Sequence, residues 1–126
     1  MNKLFAEHAP AAIGPYSHAI QSGNLIFCSG QTPLNPKTML IEGISVTEQT
    51  TLVLSNLETV LKAAGCDRFH IIKTSVFLKN FADFEKMNKA YESFFGDHKP
   101  ARTTVEVSRL PKDALVEIEC VAEVKP

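Results

Sequence analysis

Tryptophan is absent from this sequence, cysteine occurs three times, and neither sign of charge is in excess. Thirteen Lys and Arg against fourteen Asp and Glu leave a formal net charge of −1. That balance gives no electrostatic footprint for a nucleic-acid backbone, whose binding rests on clustered cations. Cys28, Cys66 and Cys120 are odd in number and widely spaced, with no Cys-x-x-Cys pair. They exclude a disulfide framework and read as reduced, packed thiols. His8, His18, His70 and His98 have no metal-ligand spacing, so no metal site is expected. No apolar run approaches the roughly 20 residues that a bilayer requires, and residues 1–8 lack the apolar core of a signal peptide. A cytoplasmic protein is the expectation. No repeat, low-complexity tract or linker divides residues 1–126, which read as a single domain.

What is present is punctuation for strands and helices. Residues 17–22 and 25–29 flank Gly23-Asn24 and form an expected hairpin, followed by a loop over residues 30–36 that contains two prolines. Ser45-x-x-Glu48 is a capping box opening a helix to Ala64, with Gly65 placed to end it. Val46, Thr50, Val53, Leu54, Leu57, Val60, Leu61 and Ala64 form its apolar stripe. Residues 70–78 read as a central strand. Asn80 and Asp83 offer caps for a second helix that reaches Phe95 and stops at Gly96; Asn88 interrupts its stripe of Phe84, Met87, Tyr91, Phe94 and Phe95. This order predicts an α+β fold, a mixed sheet with two helices packed on one face. The other face has no cover from its own chain, so a symmetric homo-oligomer is expected to bury it.

Residues 100–107 and 116–124 both alternate with period two, and Leu110-Pro111-Lys112-Asp113 has turn chemistry, so the two strands are expected to pair as a hairpin. Alternation puts Arg102, Thr104 and Glu106 on one face of the first strand, with Thr103, Val105 and Val107 on the core side. In that hairpin Thr104 lies across from Glu119. A guanidinium, a hydroxyl and a carboxylate would then converge on one polar face, fit for a small anion. Glu117 and Glu123 read as surface or salt-bridge residues. Ser17-His18 is no dyad, because strand neighbours point to opposite faces.

Several stretches together resemble the reactive intermediate deaminase family, also called the RidA or YjgF family. They are Ala12-Ile13-Gly14-Pro15-Tyr16-Ser17, Phe27-Cys28-Ser29-Gly30-Gln31, Asn88 with Tyr91 and Phe94-Phe95, Pro100-Ala101-Arg102, and Leu110-Pro111-Lys112 leading to Val116-Glu117-Ile118-Glu119. The resemblance implies a chorismate-mutase-like fold in a homotrimer, with cofactor-free sites between subunits. It implies hydrolysis of 2-imino acids or their enamine tautomers, of the 2-aminoacrylate and 2-iminobutanoate type, to 2-oxo acids and ammonia. By the same resemblance Arg102 grips the substrate carboxylate, and Glu119 holds the attacking water with the backbone carbonyl of Thr104. Gly30 meets the imine end, and Tyr16, Ser29 and Asn88 line or support the cleft. Two positions depart from the family pattern. Thr104 stands where many members have Cys, and Met39 where Gly is common, so the turn after Pro36 is open to a different shape.

Two other functions remain open. A 2-oxo-acid-binding regulatory protein would use Arg102 without needing Glu119. An endoribonuclease or translation inhibitor would want a basic surface that this composition lacks.

Overall fold

In a computed structural model that describes residues 1–124, six strands form one sheet and two helices cover one side of it. The strands are β1 (Asn2–Leu4), β2 (Ala19–Ser22), β3 (Leu25–Gln31), β4 (Ile71–Leu78), β5 (Ala101–Glu106) and β6 (Val116–Glu123); the helices are α1 (Val46–Lys62) and α2 (Phe84–Phe95). The strand order is β1-β2-β3-β6-β4-β5, antiparallel except for the parallel pair β4–β5.

Local chemistry accounts for the helix boundaries. The Ser45 hydroxyl accepts the Glu48 amide at 3.2 Å, satisfying one of the unpaired donors of the first turn. At the other end α1 closes at Lys62, two residues before the expected stop. The Cys66 amide returns to the Leu61 carbonyl at 3.0 Å and Gly65 takes φ +75°, the left-handed closure that glycine allows. Asn80 caps a short 3₁₀ turn, accepting the Ala82 amide at 2.9 Å, whereas Asp83 makes no side-chain capping bond.

The core lies between the helices and the sheet. Val53, Leu54, Leu57, Val60 and Leu61 of α1, with Met87 and Phe95 of α2, meet Ile26, Val76, Leu78, Ile118 and Ala122 of the sheet. Each fully buried Val, Leu, Ile, Met or Phe among them contributes about 1.5–3 kcal/mol. Cys28 and Cys120 are opposite one another on β3 and β6, buried like Cys66 and unoxidised.

Three expectations fail, each for a physical reason. Strands β5 and β6 do not form a hairpin: β4 lies between them, pairing parallel with β5 and antiparallel with β6. The chain enters β5 through α2, and a strand-helix-strand order is the crossover that a parallel pair requires. Thr104 is therefore opposite Val76, and Glu119 opposite Ser75. The faces of β5 also invert. Arg102, Thr104 and Glu106 align with the core-facing Thr74, Val76 and Leu78, while Val105 is 40% exposed on the uncovered side. Thirdly, Gly30 and Gln31 belong to β3 rather than to the following loop.

The uncovered face carries Ile20, Phe27, Phe77, Val105 and Val121 among Lys73, Glu117 and Glu119. Phe27 is 47% exposed there. Among the described residues no helix is long and apolar enough to cross a membrane.

Candidate active site

The expected site residues divide into two groups, one on each face of the sheet. The first lies on the helical side, where β5 passes under α2. The guanidinium carbon of Arg102 stands 4.8 Å from the centroid of the Tyr91 ring and 5.7 Å from that of Phe84. Among the described residues no carboxylate or other acceptor pairs with it, so its donors are unspent. Asn88, Tyr91, Lys99, Pro100 and Arg102 line a cavity of about 440 Å³. The Asn88 Oδ1 and the Thr104 Oγ1 are both buried without a hydrogen-bond partner. The unpaired guanidinium is a receptor for a small planar anion, whereas the orphaned Asn88 Oδ1 is an acceptor that calls for a donor.

The backbone of β5 adds to this half. The Val107 amide donates to the Leu78 carbonyl at 2.9 Å. In a parallel ladder one residue turns both backbone groups to its neighbour strand and the next turns them away. Carrying that phase back along β5 leaves the N–H and C=O of Thr104 at the free edge of the sheet.

The second group lies on the uncovered face. A β-bulge interrupts the pairing of β3 with β6 between Cys28 and Gln31, which is where Ser29 and Gly30 sit. The Ser29 hydroxyl donates to the Ser17 carbonyl at 2.7 Å and its amide to the His18 carbonyl at 3.0 Å, tying the preceding segment to β3. A β-carbon on Gly30 would stand 3.1 Å from Glu117 Cδ and collide with its Oε2. Glycine is what allows the carboxylate to lie over the bulge. Burial pushes the Glu117 carboxyl above the usual carboxylate range, and the neighbouring Glu119 charge pushes it further. Glu119 is more exposed than Glu117. Both line a cavity of about 620 Å³ with Tyr16, Ser29, Gly30 and Lys112.

The walls of this second cavity are fastened by specific bonds. Tyr16 Oη accepts the Ile13 amide at 3.2 Å. His18 is buried: Nδ1 accepts the Ala6 amide and Nε2–H donates to the Pro10 carbonyl, each at 2.8 Å. On the rim, Lys112 Nζ donates to the Met39 carbonyl at 2.7 Å. Met39 adopts φ +60°, so the turn keeps the conformation that glycine favours despite its side chain. Lys112 and Asp113 also have positive φ, 53° and 59°.

In one chain Arg102, Thr104 and Asn88 thus come together, and so do Tyr16, Ser29, Gly30 and Glu119, but the sheet separates the two sets. Sequence reading took Glu117 for a surface or salt-bridge residue, whereas its carboxylate lies over the Gly30 bulge. Period two puts it on the same face as Glu119, and both remain candidates. It also missed the contact of Tyr91 with Arg102, which the misassigned hairpin hid.

Comparison with known proteins agrees with this architecture. The family model described as Endoribonuclease L-PSP matches residues 6–124. A RutC family protein of Pyrococcus horikoshii is 51% identical over 119 residues, 94% of each chain. The 2-iminobutanoate/2-iminopropanoate deaminase of Escherichia coli K12 is 47% identical, covering 97% of this chain and 98% of its own. The solved structure of the YjgF gene product from E. coli superposes with TM-score 0.94 at 44% identity, over 99% of this chain and 100% of that one. E. coli TdcF with bound serine superposes with the same TM-score of 0.94 at 38% identity, with coverage of 99% and 100%. With its two helices on a mixed sheet and these matches along nearly its whole length, the chain belongs to the endoribonuclease L-PSP family, also called the YjgF family.

Proposed function

We propose that this protein is an enamine and imine deaminase that hydrolyses 2-imino acids to 2-oxo acids and ammonia, in sites shared between the copies of a cytoplasmic homotrimer. The observation that carries the reading is the division of the site. An unpaired arginine stands on one face of the sheet and a half-buried carboxylate of raised pKa on the other, and a small substrate can meet both only between two chains. The half-apolar uncovered face supplies the surface for that assembly. The name of the E. coli relative supplies the substrate class.

The net reaction is water plus imine giving ketone plus ammonia. Arg102 of one chain holds the substrate carboxylate through two parallel N–H bonds, and Asn88 lines the same cavity with its Oδ1 free to accept a donor. The imine carbon then faces the Gly30 bulge of the adjoining chain. Glu117, which lies over Gly30, takes the role the resemblance gave to Glu119: it accepts a proton from the attacking water and returns it to the departing nitrogen. A raised carboxyl pKa suits a group that must both take and give a proton. The free carbonyl at the Thr104 edge is an acceptor for the same water. Glu119 acts on Glu117 through its charge. Acid-base catalysis of this kind is worth about 10²- to 10⁴-fold.

The test couples a threonine dehydratase to 2-oxobutanoate release, with semicarbazide competing for the free imine. Added protein speeds release and suppresses semicarbazone, and Arg102→Ala does neither while remaining folded. Full activity in that variant would remove the anchor role; no acceleration by the wild type would remove the deaminase reading. A binding-only protein would keep 2-oxobutanoate affinity and be indifferent to Glu117→Gln. The endoribonuclease reading finds no support in a net charge of −1.

A further inference from the structure

An arginine that grips a substrate must be held still, and the usual holder, a carboxylate, would occupy the donors it is meant to offer. Arg102 is held another way. Phe84 and Tyr91 lie seven residues apart on α2, two turns along the same side, and present both rings to the guanidinium. A ring face attracts the cation from above and leaves the in-plane N–H groups free. The nearer ring is itself fixed. Tyr91 Oη and Thr74 Oγ1 are 2.7 Å apart, and Tyr91 packs at 4.7 Å on Phe95. Thr74 is the register partner of Arg102 across β4 and β5. The Tyr91 side chain therefore spans both members of one cross-strand pair, with its hydroxyl on Thr74 and its face under Arg102. Thr74 is fully buried and Tyr91 8% exposed, so their bond lies on the buried side of the ring.

We propose that Tyr91 is a positioning residue for the substrate carboxylate: its ring, locked by the bond to Thr74, sets the guanidinium of Arg102 for a two-bond grip. The proposal rests on the reading of Arg102 as the carboxylate anchor. Because the grip is present in ground and transition states alike, its loss raises KM more than it lowers kcat.

The experiment measures 2-oxobutanoate affinity by calorimetry, together with KM and kcat for imine hydrolysis. It compares Tyr91→Phe, Tyr91→Leu and Thr74→Val, each alone and in an Arg102→Gln background. Tyr91→Leu raises Kd and KM about tenfold with kcat changed less than about threefold, and Tyr91→Phe, which keeps the ring, restores most of the loss. In the Arg102→Gln background Tyr91→Leu adds nothing. Thr74→Val, which keeps the core volume, weakens 2-oxobutanoate about threefold and serves as the readout if Tyr91→Leu does not fold. Unchanged affinity in folded Tyr91→Leu or in Thr74→Val overturns the proposal, as does an equal Tyr91→Leu effect without Arg102. Failure of the wild type to bind 2-oxobutanoate or to speed hydrolysis overturns the deaminase reading as well, so the two failures are distinguishable.

Discussion

The Glu117 carboxylate lies so close over the α-carbon of Gly30 that no β-carbon fits between them. What would collide is the far end of a flexible side chain, and Gly30 does not need a left-handed backbone. Gly30→Ala should therefore fold, with a melting temperature near that of the wild type, because Glu117 can swing aside. It should also lose on the order of 10²-fold in kcat/KM, since the displaced carboxylate no longer meets the substrate. Wild-type kcat/KM in this variant would detach Glu117 from the chemistry.

The two glutamates of β6 are separable by pH. The Glu117 carboxyl is raised by burial first and by Glu119 second. If its ionised form accepts the water proton, activity falls as pH drops through that raised value, earlier than for an ordinary carboxylate. Glu119→Gln removes the neighbouring charge and moves the acid limb of the pH–rate profile down. Glu117→Gln removes the limb and about 10²–10⁴-fold of rate. Stability moves the other way. A folded state that holds a proton more tightly than the unfolded chain loses stability as pH rises through its pKa. Glu117→Gln should thus melt higher than the wild type at neutral pH, measured by calorimetry.

On the far side of the helices, Arg68 makes two bonds of 2.8 Å to Glu58, donates to the Phe94 carbonyl at 2.8 Å and lies 3.9 Å from the Phe94 ring centroid. This clamp joins α1, the turn after it and the end of α2. Its hydrogen bonds hold the Glu58 carboxyl below the usual carboxylate range. The stability it gives is present above the unfolded pKa and lost as pH falls through the folded one. Glu58→Gln should cost about 1–3 kcal/mol near neutral pH and flatten the acid side of the stability profile in urea titrations.

Met39 has φ +60° in a turn whose carbonyl receives Lys112. A left-handed residue with a side chain costs about 1–2 kcal/mol, partly offset in a glycine by the extra freedom of its unfolded chain. Met39→Gly should therefore raise stability by about 0.5–1 kcal/mol in thermal melts without altering KM.

Much of this fold was legible in local chemistry. Ser45 with Glu48, Gly65, Gly96 and the Gly23-Asn24 turn mark their elements because a cap or a turn depends on residues close in sequence. Pairing does not. Period two sorts the residues of β5 and β6 into faces, yet it carries no label for the neighbouring strand, and assuming a hairpin turned β5 over. The passage from β4 through α2 into β5 held the clue, because a strand-helix-strand order favours a parallel pair. Within the site Arg102, Asn88, Gly30 and Tyr16 were readable as candidates. The candidacy of Glu117 beside Glu119 was not, since it depends on a bulge that only tertiary contact reveals.

The separation of Arg102 from Glu117 by the thickness of a sheet has a genetic consequence. On the proposed mechanism a chain without the arginine and a chain without the glutamate are each inert, but they are damaged on different sides. When the two are made in one cell and assemble together, some clefts draw an intact arginine from one parent and an intact glutamate from the other. Two defective alleles should then rescue each other, where two alleles that lose the same side should not.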